Sequence, residues 1–245
     1  GYEALYSNTT GGFNTSVGSK SSRSNTVGAS NAALGFNALG LNTTGNENTA
    51  IGKGSLYSNV TGDNNTAIGS HALEVSTSSD NTAVGSDALR ANTTGVYNTS
   101  CGTQALKQNT TGSRNTAVGF ETLRSNSSGG NNVSVGYQSL NNNTVSFNTA
   151  IGVSSLYTNT TGQQNVAIGY QTLFSNTTGS YNTANGLSAL YANTTGSYNT
   201  ANGYLALYAN TTGNFNVAYG HRTLRHSTTG TNNTAMGYVA LENCT

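Results

Sequence analysis

The chain lacks proline and tryptophan altogether, and only 7% of its 245 residues are charged. With a net charge of +1, the sequence has no basic stripe of the kind that binds nucleic acid or an anionic membrane surface. No apolar run approaches the length of a membrane-spanning helix. The sequence therefore predicts neither a nucleic-acid partner nor a membrane span.

Cysteine is also scarce, and Cys101 and Cys244 are the only two. They lie more than eight repeats of the pattern described below apart, which is roughly 40 Å if each repeat rises about 4.8 Å. A disulfide requires a far shorter separation, so we expect no bridge within the chain. Cys101 stands where most repeats have Val, Ile or Leu, which predicts a small buried hydrophobic residue.

A 17-residue pattern, N-T-A-x-G-x-x-A-L-x-x-N-T-T-G-x-x, fills the sequence from end to end. We number its positions from 1, the first Asn, to 17. Gly occupies position 5 without exception, and Leu occupies position 9 in every complete repeat except at Ser22. Two repeats, those beginning at Asn65 and Asn132, have 16 residues and lack the Gly of the T-T-G turn.

The composition by itself would also suit a disordered polar tract, because few residues are available to form a core. A disordered tract, however, has no reason to keep Leu and Gly at fixed positions along its whole length. A short fixed period instead indicates stacked structural units that bury their apolar faces against one another. We interpret residues 1–245 as a single repeat domain with truncated repeats at both ends. With no signal peptide before Gly1, the chain is expected to be mature or an excerpt.

Seventeen residues are too few for a helix pair, and Asn, Thr, Ser and Gly favour strands and turns over helices. We therefore predict an all-β fold, a β-solenoid of the β-roll or β-helix type with about 14 coils. The first strand is expected at N-T-A-x-G and a second at x-A-L-x, with turns at N-T-T-G. Position 4 supplies an aliphatic residue and position 9 a Leu to the core, while positions 3 and 8 supply small residues.

The Asn columns at positions 1 and 12 have a structural explanation. Stacked coils bring equivalent side chains about 4.8 Å apart, where amides can hydrogen-bond to one another in a ladder. The predicted core is thin, with one Leu and one aliphatic residue per coil, so a lone chain would be only marginally stable. We therefore expect self-association, as a homotrimer or a filament, in an elongated fibre.

The motif N-T-A-I-G at Asn48–Gly52 and Asn148–Gly152, with the A-L pair and glycine turn that follow in many repeats, resembles the head repeats of trimeric autotransporter adhesins. It is also similar to repeats of phage tail fibres and related bacterial surface fibres. The resemblance covers nearly the whole chain. It implies a stiff structural or adhesive fibre, outside the cell or on a cell or virion surface, and implies no catalytic residue.

Constellations typical of enzymes and metal sites are absent from the pattern. His71, His221 and His226 fall at unrelated positions of the repeat, and no metal-ligand motif accompanies them. The acidic residues are scattered, which argues against repeated calcium sites. We therefore expect no enzyme, no metal and no cofactor.

Ten N-x-[S/T] sequons recur at the N-T-T-G bend, which we expect to be exposed as a glycosylation acceptor must be. The alternative is that N-T-T-G is simply a good turn. The candidate acceptors are Asn8, Asn42, Asn59, Asn92, Asn109, Asn126, Asn159, Asn176, Asn193 and Asn210.

Aromatic residues form columns that could bind surface glycans or merely stabilise neighbouring coils. The candidate binding rings are Tyr157, Phe174, Tyr191, Tyr208, Tyr181 and Tyr198. Carbohydrate binding is thus an alternative function. Ice binding by the Thr column at position 2 is another, although Ala32, Val133, Val166 and Val217 interrupt that column.

Overall fold

The computed structural model describes residues 1–244, in two compact units, Gly1–Glu121 and Thr122–Thr245. The regular elements of the described residues are three-residue β-strands, and no helix occurs among them. The first unit contains β1 (Thr15–Val17), β2 (Ala32–Leu34), β3 (Thr49–Ile51), β4 (Thr66–Ile68), β5 (Thr82–Val84), β6 (Thr99–Cys101) and β7 (Thr116–Val118). The second contains β8 (Val133–Val135), β9 (Thr149–Ile151), β10 (Val166–Ile168), β11 (Thr183–Asn185), β12 (Thr200–Asn202), β13 (Val217–Tyr219) and β14 (Thr234–Met236).

Within each unit, every strand pairs in parallel with the strand one repeat away. The register is strict, as Ala50 pairs with Ala67 and Ile51 with Ile68. The shortened repeats keep it, because Thr66 pairs with Thr82 across a 16-residue step. A coil can thus lose a residue in its turn without shifting its strand.

These features confirm the predicted all-β solenoid with a repeat of about 17 residues. Residues 1–244 contain fourteen parallel strands, seven in each unit, and each coil contributes one strand. Both units have the same fold, and one continuous domain over residues 1–245 stays a prediction.

The strand residues alternate between the interior and the surface. In β3 the side chain of Ala50 is fully buried, whereas Ile51 is 37% exposed. Since successive side chains of a strand point to opposite faces, a buried position 3 places positions 2 and 4 outside. The prediction that position 4 belongs to the core is therefore wrong. Cys101, at the same position, is exposed rather than buried, and both cysteines are free thiols.

The predicted second strand at x-A-L-x is also wrong, because this segment forms turns. Positions 7 and 9 adopt left-handed backbone conformations, with φ of 56° at Asn37 and 53° at Leu39. As a result, Leu39 N–H donates to Ser55 O at 3.0 Å in the following coil, and Asn37 N–H donates to Ser19 O at 3.1 Å in the preceding one. The segment is hydrogen-bonded between coils without being a strand.

Leu at position 9 forms the core that the sequence predicts. Leu39, Leu56 and Leu173 are each 0% exposed. A left-handed conformation costs an L-residue roughly 1–2 kcal/mol, and burial of a Leu side chain returns about 1.5–3 kcal/mol. Burial of each Leu thus offsets the strain of its own left-handed conformation.

Both predicted asparagine ladders are present. At position 1, Asn48 N–H donates to Asn31 Oδ1 at 3.0 Å, and Asn48 Nδ2 donates to Gly62 O at 2.8 Å. At position 12, Asn42 Nδ2 donates to Asn25 Oδ1 at 2.8 Å and to Gly45 O at 3.0 Å. Each amide therefore links its own turn to the adjacent coil.

Glycine at position 5 allows adjacent coils to approach closely. Gly102 has φ of +142°, and a Cβ added there would lie 2.3 Å from Gly119 O in the next coil. Gly54, at position 7, differs because its added Cβ would meet only the ring of His71, at 3.2 Å.

We predict that Gly102→Ala lowers the free energy of unfolding of the first unit by about 3 kcal/mol or more, since neither the carbonyl nor the φ can accommodate a methyl group. Gly54→Ala, the matched control, should cost only about 1 kcal/mol, for its left-handed φ alone. Urea unfolding followed by circular dichroism measures both. Equal losses in the two variants would contradict the close approach of coils at position 5.

Candidate functional surfaces

The outward side chains of positions 2 and 4 form a surface that we call the strand face, one in each unit. The strands place no charged residue at either position. In the first unit, position 4 is apolar in every strand apart from the thiol of Cys101, and Val17 and Ile68 are 53% and 36% exposed. In the second unit, Asn185 and Asn202 interrupt this apolar column. An exposed, contiguous apolar stripe is typical of an interaction surface.

Charged side chains gather instead at positions 7 and 10, on another side of the coil. Glu74 pairs with His71 at 3.0 Å and with Arg90 at 2.6 Å, and Asp87 pairs with Lys107 at 3.0 Å. The hydrogen bond that Arg90 donates to Glu74 raises the pKa of the Arg90 guanidinium. These partly exposed pairs contribute little stability individually. Because the charged residues gather on this other side of the coil, the strand face carries no charge.

The candidate glycosylation residues are buried rather than exposed, apart from Asn8. A glycan replaces one hydrogen of the Asn amide, but Asn176 Nδ2 already donates to Asn159 Oδ1 at 2.8 Å and to Gly179 O at 2.9 Å. A sugar there would break the ladder and would have no room. The predicted exposure is therefore wrong for Asn42, Asn59, Asn92, Asn109, Asn126, Asn159, Asn176, Asn193 and Asn210, all 0% exposed.

Asn8 is half-buried, and its Nδ2 donates to Gly11 O at 3.0 Å. Glycosylation of Asn8 stays a prediction. The other nine asparagines recur at position 12 of almost every coil. An amide ladder requires such recurrence and an exposed glycan acceptor does not, so the recurrence itself indicates a structural role.

The six candidate binding rings lie in two separate files of the second unit. Tyr157, Phe174, Tyr191 and Tyr208 follow one another at position 10, with centroids 5.2–5.4 Å apart and planes within 11°. Tyr181 and Tyr198 stack at 4.8 Å at position 17, and Phe215 continues that file at 5.0 Å.

Stacking covers the ring faces that a sugar would need. In the position 10 file, Phe174 and Tyr191 each have an aromatic neighbour on both sides, so only ring edges face solvent. Offset or parallel aromatic pairs stabilise the elements that present them. The geometry therefore favours a stabilising role for these files, and sugar binding by them remains untested.

The described residues, 1–244, contain no cluster of three or more His, Cys, Asp or Glu side chains suited to a metal ion. The same residues include no helix long and apolar enough to cross a bilayer. Comparison of the chain with protein-family models, curated proteins and solved structures finds no significant match.

We predict that Asn176→Ala lowers the free energy of unfolding by about 3 kcal/mol, because Asn159 Oδ1 and one Nδ2 hydrogen of Asn193 lose their partner in a buried site. Asn142→Ala is the control, since Asn142 is half-buried and its side chain makes no hydrogen bond within residues 1–244. It should change stability by no more than about 0.5 kcal/mol. Similar losses in both variants, measured by urea unfolding, would refute the structural role of the sequon Asn.

Proposed function

We propose that the chain is a structural and adhesive fibre protein whose copies associate through the strand face, as a homotrimer or a filament. The observation that carries this proposal is the apolar, uncharged column at position 4 of the first unit, where Ile51 and Ile68 are more than a third exposed. Burial of such a column against a partner removes apolar surface from water at about 25 cal/mol per Å².

A second copy of this chain is the partner that fits the strand face best. A partner that matches the strand face along its length must present equivalent side chains at the spacing of the coils. Another copy of this chain has that same spacing. Identical copies bring no like charges together there, because positions 2 and 4 are uncharged in every strand. Homo-oligomers commonly close through such shared surfaces.

The setting that we propose is the outside of a cell or the surface of a cell or virion. Its support is the resemblance of the N-T-A-x-G repeats to adhesin heads and tail fibres. An adhesive fibre would contact surface glycans or other fibres through side chains outside the strand face. The proposal assigns the chain no enzymatic role and no cofactor.

Ice binding by the strand face is a second candidate, and the in-register array of the first unit favours it. Thr49 pairs with Thr66 and Ile51 with Ile68, so hydroxyl and aliphatic side chains form parallel rows. A regular, uncharged surface of this kind can order water. Val and Ala at position 2 in some coils reduce the regularity.

We predict that the double variant Ile51→Lys, Ile68→Lys dissociates the assembly to monomers, because like charges would face each other across the interface. The control is Val60→Lys, Val75→Lys: both valines are 38% exposed, against 37% and 36% for the isoleucines, and lie off the strand face. Analytical ultracentrifugation reports the oligomer number of wild type and variants.

A wild-type chain that is monomeric at all concentrations would contradict the proposed association. Thermal hysteresis in the same samples decides the alternative. If the isoleucine variant loses thermal hysteresis and the valine variant keeps it, the strand face binds ice.

A further inference from the structure

Two coils of the first unit have Gly where most coils carry a side chain, Gly40 at position 10 and Gly54 at position 7. A Cβ on Gly40 would lie 2.8 Å from two ring carbons of Tyr57, so that ring has moved over the glycine. Beside Gly54, the ring of His71 is the one group within 4 Å of an added Cβ, with its Nδ1 at 3.2 Å. The missing side chain at Gly54 thus leaves a concave place in an otherwise repetitive surface, and the Tyr57 ring that lies over Gly40 borders it.

A cavity of about 270 Å³ opens at this place. Phe36, Lys53, Gly54, Tyr57, His71 and Glu74 line it together with Asn37. Its backbone is fixed between coils, because Gly54 N–H donates to Phe36 O and His71 N–H to Lys53 O, both at 2.9 Å. The volume equals that of about nine water molecules, which is room for one six-membered ring with a small substituent.

Two side chains of opposite charge, Lys53 and Glu74, line the cavity. The carboxylate of Glu74 is already paired with Arg90 at 2.6 Å, and its other oxygen lies 3.0 Å from His71 Nδ1. Within residues 1–244, no carboxylate or other hydrogen-bond acceptor pairs with the Lys53 ammonium. An anionic ligand would therefore find an uncommitted cation at the wall of the cavity.

Tyr57, which is not among the six candidate binding rings, supplies a flat apolar surface at the cavity. At position 10, it follows Gly40 and precedes Glu74, so it stacks on no aromatic ring in the described part of the chain. Phe36, the second ring of the cavity, is 47% exposed. One face of the Tyr57 ring is covered by Gly40, and the ring borders the cavity without an aromatic neighbour, whereas Phe174 and Tyr191 of the second unit carry rings on both faces.

We propose that this cavity binds a small carboxylate that carries one ring with an apolar face, either a sugar acid or an aryl acid. The carboxylate accepts a charge-assisted hydrogen bond from Lys53, and the ring packs on Tyr57. The Asn37 amide is available to hydroxyl groups of the ligand. This site goes beyond the fibre proposal and does not depend on it, because its residues lie outside the strand face.

The test titrates the ¹⁵N-labelled full chain with glucuronate, with 4-hydroxybenzoate and with neutral glucose, and follows backbone amide shifts. We expect saturable shifts at residues of the cavity with a Kd in the millimolar range, as suits a small shallow site. Lys53→Gln should weaken binding about tenfold, through loss of the charged hydrogen bond.

Gly54→Gln should abolish binding by filling the cavity. The backbone conformation suits this residue, because Gln104 and Gln171 occupy the equivalent position with φ of 60° and 51°. Lys107→Gln is the control, because Lys107 does not line the cavity and its ammonium is paired with the Asp87 carboxylate at 3.0 Å. This variant should bind the acids like wild type.

Binding of glucuronate alone would identify a sugar acid, and binding of 4-hydroxybenzoate alone an aryl acid. Either result supports the site if Gly54→Gln loses it. No saturable shift with either acid, an unchanged Kd in Gly54→Gln, or glucose binding as tightly as glucuronate would overturn the proposal. Because the oligomer number is measured separately, such a failure leaves the proposed association untouched.

Discussion

The asparagine amides between successive coils are the interaction on which the rest of the structure depends. Position 1 shows the logic: Asn65 accepts from Asn81 N–H at 3.1 Å and donates to Ser78 O at 2.8 Å, so a single side chain bridges two coils. The amides lie where water cannot replace them, and a buried polar group without a partner is costly. A coil displaced by one residue would leave many such groups unpaired, which fixes the register.

Close stacking has consequences for every other column. Position 5 has to be Gly because the carbonyl of the next coil occupies the place of a side chain, and position 3 stays small, as at Ala50. The core therefore reduces to a file of Leu. Aliphatic side chains such as Ile51 remain outside, and they are the apolar surface from which we infer association between copies.

Much of this could be predicted from the sequence, and each wrong prediction has its own physical cause. The fixed period predicts the solenoid, and the invariant Asn columns predict the ladders. Position 4 could also have been placed outside, since strand alternation excludes it from the core once Ala50 is inside. The left-handed φ of Leu39 has no sequence signal, because Leu rarely adopts it. The Tyr57 cavity has no sequence signal, because its walls depend on where the side chains of Tyr57, His71 and Lys53 lie.

The most direct test of the asparagine ladder is amide hydrogen exchange measured by NMR. The backbone N–H groups of Asn48, Asn98, Asn165 and Asn199 donate to the Oδ1 atoms of the preceding coil at 2.9–3.0 Å. We expect these four amides to exchange slowly, with protection close to that of the global unfolding of their unit. Exchange of these amides at the rate of an unstructured peptide would contradict in-register stacking through asparagine.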